Sequence, residues 1–411
     1  MLNMEKGVSI GKSARDFGKS LTPAGIGVSI AATLFGEGPV FLLLKLLNDA
    51  NLADNVAISW LTIIFVVGGI LTLFFSLYYR QPVQFAFSIP AIAIIAGALP
   101  RYAFSDILGA ITLSGFLVFL LGVTGLFKAF LRYIPTPVIQ GMIAGALVPF
   151  GIAIIKAIAV EPIVAGGTFL VFIVFSLFPA VSRRFPPILS ALILGFGIAL
   201  LGGKVNLGDI SFQFSSLTFI VPTFNMTAIL ELTIPLALLT VGFGNIQAIG
   251  ILKTQGYNPP VNAFVVLSGI GTIINSFFGG HNTVVGGPTV AMMAGPEVGR
   301  EEERYSAAVL TGILMVIMAA ISPLVISFTR AVPTSFIDVL AGIAMVTVIA
   351  NNFSQAFSSN LKMGALFAFL ITMSQIKILN VGSPLWAILG GTVISLLLER
   401  KEYLKAIHGM K

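Results

Sequence analysis

Apolar runs recur along almost the whole chain, each near the length of roughly 20 helical residues that crosses a bilayer core of about 30 Å. They lie near 22–48, 56–79, 81–99, 105–127, 134–158, 163–182, 186–202, 226–252, 261–279, 281–298, 303–328, 333–352, 361–377 and 383–399. Polar, glycine-rich or proline-rich residues punctuate them. The pattern predicts an all-α polytopic membrane protein of about fourteen segments.

Two of these runs, the third and the tenth, break the helical pattern. In "YYRQPVQFAFSIPAIAIIAG" (78–97) and "GGHNTVVGGPTVAMMAG" (279–295), an extended, β-prone piece leads to a proline, Pro90 or Pro288. About nine residues then remain, or roughly 14 Å of helix, half a bilayer. Proline suits a helix start, so each segment is expected to enter as a strand and become a half-helix near the membrane centre. Non-helical backbone at that depth is tolerated only where it is buried in protein or lines a cavity.

Composition supports the membrane reading. The 411 residues are 57% hydrophobic and only 9% charged, with a mean hydropathy of +1.02, against about 25% charged in soluble domains. There are no cysteines, which excludes disulfides, a thiol nucleophile and thiolate metal ligands. The first twenty residues are polar and basic without an apolar run, so no cleaved signal peptide is expected. With an even span count and the N-terminus inside, seventeen of the 23 Lys and Arg residues fall on the inner side. Cytoplasmic loops collect such residues, so both termini are expected in the cytoplasm of a cell that holds the protein in its inner (plasma) membrane. The net charge of +7 then reads as a topology signal, and nucleic acid is not an expected partner.

An internal repeat organises the segments. "RYIPTPVIQGMIAG" (132–145) matches "RAVPTSFIDVLAG" (330–342), with Pro135, Thr136 and Ile139 meeting Pro333, Thr334 and Ile337. Pro90 meets Pro288, and Ala96-Gly97 meets Ala294-Gly295, at the same spacing of 198 residues that separates 132 from 330. A weaker match, "LFGEG" (34–38) with "GFGNI" (242–246), slips by ten residues. The chain divides into a tail (1–20), two seven-span repeats (21–205 and 206–400) and a second tail (401–411). An odd span count inverts one repeat against the other, an arrangement that places a transporter's substrate site between the repeats near the midplane. The two half-helix N-termini then face each other, each offering unpaired N–H groups and a partial positive charge, which together suit an anion.

Candidate residues follow from that placement. Phe87, Ser88 and Ile89 lead into the Pro90 half-helix, where an aromatic ring could stack on a planar substrate and a hydroxyl could reach a carboxylate. Gly286 and Gly287 allow close approach to backbone N–H groups, and Thr289 sits in the first turn. Glu37 is read as the only carboxylate well inside an apolar run, and intramembrane carboxylates are costly and usually functional. It is the expected proton-coupling residue, with Asn245 as its repeat mate and Gln247 nearby. His281 lies about 20 Å of extended chain from Pro288, which predicts a position near the outer surface. Asp338 is expected to pack or cap, and "GREEERYS" (299–306) to be a solvated loop. No phosphate loop, metal-ligand cluster or nucleophile–base pair occurs, so neither an enzyme nor a cofactor or metal is expected.

Taken together, "YYRQPVQFAFSIP" (78–90), "LALLTVGFGNIQAIGILKTQGYNPPVN" (236–262) and the two proline-threonine motifs resemble the benzoate/proton symporter (BenE) family over nearly the whole chain. The wider relatives are nucleobase/ascorbate permeases and sulfate-permease-type anion carriers. The resemblance implies a core domain (21–130 and 226–330), in which segments 1 and 8 pack beside the half-helices, and a gate domain (131–205 and 331–400). It also implies a homodimer through the gate domain and proton-coupled uptake of benzoate or a related aromatic carboxylate. The alternatives are a nucleobase symporter and an inorganic-anion carrier; of another class altogether, a channel or a membrane scaffold. Nucleobase permeases typically carry a carboxylate in segment 8, where this chain has Asn245 and Gln247.

Overall fold

The computed structural model describes residues 4–37, 40–126, 133–178, 186–210, 213–358 and 360–408. In chain order the first part runs α1 (Ile10–Ser20), α2 (Pro23–Glu37), α3 (Val40–Asp49), α4 (Asp54–Tyr79), β1 (Phe85–Phe87), α5 (Ile89–Ala98) and α6 (Phe104–Thr124). Next come α7 (Thr136–Val160), α8 (Gly167–Leu177) and α9 (Pro187–Leu201). The remainder holds α10 (Met226–Leu238), α11 (Ile246–Thr254), α12 (Val261–Ser276), β2 (Thr283–Val285), α13 (Gly287–Met293), α14 (Tyr305–Ala320) and α15 (Ser322–Ala331). The chain closes with α16 (Thr334–Phe357), α17 (Lys362–Ser374), α18 (Ser383–Leu398) and α19 (Arg400–His408).

Among the described residues, five helices are long and apolar enough to cross a membrane, counting α10 and α11 as one continuous helix over Met226–Thr254, and six if the bent pair α14–α15 is one span. The shortfall from fourteen has physical causes. Several apolar runs are divided rather than continuous: α14 and α15 bend by 56° at a break before Pro323, a residue that cannot donate to the preceding helix. The runs near 81–99 and 281–298 are divided by strands. Other helices are apolar but only 10–17 residues long.

The two strands meet. β1 and β2 pair antiparallel, with Phe85 opposite Val285, Ala86 opposite Val284 and Phe87 opposite Thr283. The ladder extends one bond further at each end, Ser88 N–H to the Asn282 carbonyl (2.8 Å) and Gly286 N–H to the Gln84 carbonyl (2.9 Å). A two-stranded ribbon leaves two outer edges, and in an apolar setting each unpaired backbone group costs several kcal/mol. Side chains close both edges. Thr72 Oγ1 on α4 accepts from Phe85 N–H at 2.8 Å, and Ser76 Oγ donates to the Val83 carbonyl at 3.2 Å. On the other edge Thr272 Oγ1 accepts from Thr283 N–H and Asn245 Oδ1 from Val285 N–H, both at 3.0 Å. Gly68 makes the close approach on α4 possible: a Cβ there would sit 2.9 Å from the Phe85 carbonyl oxygen.

Candidate functional site

Strand geometry decides which side chains reach the space beside the ribbon. Successive residues point to opposite faces, so Gln84, Ala86 and Ser88 share one face of β1 and its extensions. Val284 and Gly286 lie opposite them on β2. These five residues line a cavity with about 850 Å³ of empty space, counting its open mouth. Pro90, Pro288, Gly244, Gln247 and Thr289 also line it. From α16 come Val348, Asn351, Asn352 and Gln355.

Both helix starts open onto this cavity. α5 begins at Ile89 and α13 at Gly287, so each proline takes the second helical position, one residue inside the expected start. The first-turn amides of Ile89, Ala91, Gly287 and Thr289 have no acceptor within their own helices. By the ladder register the residues just before them, Ser88 and Gly286, lie about 13 Å apart along the ribbon, four residues at roughly 3.3 Å each. The two starts are not equal. α5 has ten residues, whereas α13 has seven and is followed by a tight turn at Pro296–Val298. The electrostatic pull on an anion therefore comes mainly from α5.

The polar atoms of the lining are unusual for groups so deeply buried. Ser88 is 1% exposed, Gln84 2% and Asn352 1%. Ser88 Oγ, Gln84 Oε1 and Asn352 Oδ1 each lack a hydrogen-bond partner. Buried polar groups are normally paired, and three such atoms on one cavity mark it as a place for a polar ligand. Among the described residues none of the lining is charged, so these can neutralise an anion only with amides, hydroxyls and the α5 terminus.

The expected site residues are thus largely brought together, with differences in role. Phe87, Ser88, Ile89, Gln247, Gly286, Gly287 and Thr289 all line the cavity. The Phe87 ring is 6% exposed and packs edge-on against Phe65 (6.2 Å) and beside His281 (5.7 Å), so it is not a free stacking platform. Thr289 Oγ1 already donates to the Gly286 carbonyl at 2.9 Å. Gln247 lies directly over Gly287, where a Cβ would come within 2.6 Å of Gln247 Oε1. Asn245 does not line the cavity. It is fully buried, shares a hydrogen bond with Ser268 and holds the edge of β2. Glu37 ends α2, and its side chain lies outside the described residues.

One expectation is corrected. His281 is not near an exposed outer surface: only three residues form β2, and His281 is fully buried, its Nδ1 accepting from Trp60 Nε1 at 2.9 Å. A second carboxylate, Glu231 near the start of α10, is 1% exposed. It takes Arg101, the Tyr102 hydroxyl (2.7 Å) and Gly382 N–H (2.7 Å). Asp338 has a packing role: it forms an ion pair with Lys45 at 2.5 Å, joining α16 to α3. The Asn351, Asn352 and Gln355 wall was missed, although three amides in the last turns of an apolar run are themselves a signal.

Residues 19–397 match the model of the BenE family, described as benzoate membrane transport protein. The chain is 26% identical to the benzoate membrane transport protein of Acinetobacter baylyi over 393 residues, covering 94% of this chain and 97% of that one. It is 29% identical to the inner membrane protein YdcO of Escherichia coli over 351 residues, 84% and 89% of the two chains. Among solved structures, the transmembrane domain of the cyanobacterial bicarbonate transporter BicA aligns with a TM-score of 0.59 at 15% identity, covering 91% of this chain and 97% of that one. The murine anion transporter Slc26a9 aligns at 0.61 with 11% identity, 92% and 68% covered. At such identities the structural likeness establishes a shared fold.

Proposed function

The chain belongs to the BenE family of benzoate membrane transport proteins, and from that premise we propose that it is a secondary active transporter taking up a small planar organic anion, benzoate or a related aromatic carboxylate, together with protons. The observation that carries this reading is the uncharged, partly apolar cavity at the ribbon, where Ser88 Oγ is unpartnered beside the start of α5. A carboxylate would sit against Ser88 and the Ile89 and Ala91 amides, charge-assisted hydrogen bonds being the strong ones. Ala86, Val284 and Val348 would bed an apolar ring. An anion as strongly hydrated as sulfate gains little from such a lining, which is why the aromatic reading is preferred.

The mechanism we propose places fourteen segments in two inverted repeats, with both termini cytoplasmic in the inner membrane, as the distribution of Lys and Arg supports. The core part carrying the ribbon would move against a gate part containing α7 and α16, exposing the cavity to each side in turn. Glu37 would carry the coupled proton, and two chains would associate through the gate part. The test is uptake of labelled benzoate, uracil and sulfate into proteoliposomes under an imposed pH gradient. Benzoate accumulation that collapses with the gradient is expected. Sulfate-only or uracil-only uptake would favour the inorganic-anion or nucleobase alternative, and conductance without coupled proton movement would favour a channel.

A further inference from the structure

Asn352 is set apart from the other polar residues of the cavity by the way its amide is committed. Its Nδ2 donates to the Val348 carbonyl, one turn earlier on α16, at 2.7 Å. That bond uses the donor end of the side chain and fixes which end is left. What is left is Oδ1, a hydrogen-bond acceptor with no partner, on a cavity-lining residue that is 1% exposed. The donors of the site, Ser88 Oγ–H and the first-turn amides, come from the β1–α5 junction. The cavity therefore offers donors from one element and a buried acceptor from another.

A plain carboxylate satisfies only the donors. Its oxygens are acceptors, and so is Asn352 Oδ1, so a simple aromatic acid leaves that carbonyl buried and unmet. A ligand that carries an O–H or N–H on its ring satisfies both ends. Sites built to hydrogen-bond a ligand hydroxyl discriminate strongly against the analogue that lacks it, because the buried partner is then orphaned.

We infer that Asn352 is a specificity-determining residue and that the preferred substrate class is an aromatic carboxylate bearing a hydrogen-bond donor on its ring, a hydroxy- or amino-benzoate, rather than the unsubstituted acid. The inference deepens the proposed function and rests on it. Asn351 and Gln355, which flank Asn352 on α16 and are exposed, stand at the same wall and allow the donor to approach from more than one ring position.

The test uses the purified full-length chain in detergent and four probes: benzoate, 3-hydroxybenzoate, 4-hydroxybenzoate and 4-methoxybenzoate, the last matching the added bulk without a donor. Calorimetric titration is expected to show at least one hydroxybenzoate binding roughly tenfold more tightly than benzoate, with methoxybenzoate no better than benzoate. In Asn352→Leu, similar in size but without an acceptor, the ratio of hydroxybenzoate to benzoate affinity should fall to about one. Asn352→Ser, which keeps a smaller acceptor, should retain part of the preference. Equal binding of benzoate and both hydroxybenzoates by the unmodified protein overturns the inference whether or not the variants fold. So does a hydroxyl preference that survives in Asn352→Leu. If none of the four carboxylates binds, the proposed function fails with it; if benzoate binds as well as the rest, only the inference on Asn352 fails.

Discussion

Glu231→Gln tests the buried ion pair that joins α10 to Arg101 in the turn after α5. Glu231 Oε1 takes Arg101, while Oε2 takes both the Tyr102 hydroxyl and the Gly382 N–H at 2.7 Å. The carboxylate is 1% exposed and the Arg101 side chain 16%. A glutamine preserves the shape and can still accept from Gly382 or Tyr102, so the packing term is small. What is lost is the counter-ion of a largely buried guanidinium, and breaking a buried pair in this way costs about 3–5 kcal/mol. Replacing Arg101 as well, in Arg101→Met/Glu231→Gln, removes the stranded charge. The double variant should therefore recover about 1–3 kcal/mol relative to Glu231→Gln. Trp386 gives a local reading, because its Nε1 donates to the Val381 carbonyl next to Gly382 at 3.0 Å. The other tryptophan, Trp60, is fully buried elsewhere and supplies a constant background. Acrylamide quenching of tryptophan fluorescence should rise in Glu231→Gln and fall back in the double variant, alongside a lowered and then partly restored midpoint of thermal unfolding. Unchanged quenching and midpoint in Glu231→Gln would refute the reasoning, as would strictly additive losses in the double variant.

Other expectations concern the cavity. Ser88→Ala should weaken benzoate binding by about 1–3 kcal/mol, the value of a hydrogen bond to a charged group; Thr289→Val should cost less, because Thr289 Oγ1 is already committed to the Gly286 carbonyl. Equal losses in titration would contradict that ranking. Gly287→Ala places a methyl 2.6 Å from Gln247 Oε1 and should reduce binding by displacing Gln247, with Gln247→Ala restoring the expression and thermal stability of the alanine variant; loss that Gln247→Ala leaves untouched would locate the fault in the backbone. Glu37→Gln should retain benzoate counterflow exchange while losing accumulation driven by a pH gradient, since an amide cannot release a proton. An unchanged pH profile of uptake would make Glu37 structural.

The one-dimensional pattern carried the class of the molecule and the location of its irregularities. Hydropathy and charge scarcity announce a membrane protein, and the residues around Pro90 and Pro288 announce a strand followed by a short helix. Both are local properties: burial of apolar side chains, the missing N–H of proline and the preference of "FAF" and "TVV" for extended backbone act within a few residues. That is why Ser88, Ile89, Gly286 and Gly287 were legible as cavity residues. The roles of their neighbours were not, because each depends on a partner far away in the chain. Only the register of Phe85 on Val285 turns Gln84, Ala86 and Ser88 to the cavity and packs the Phe87 ring against Phe65 and beside His281. Asn245 could equally have faced a ligand until Val285 N–H, an edge group with no other acceptor, claimed its oxygen. Glu231 reads as a residue near the end of an apolar run, and only Arg101, 130 residues away, makes its burial affordable. Asn352 became visible as an acceptor only when α16 laid it against a ribbon built from segments whose starts lie well over 50 residues distant. Periodicity constrains what a segment can form; which of its polar atoms remain free for a ligand is decided by what the rest of the chain has already used.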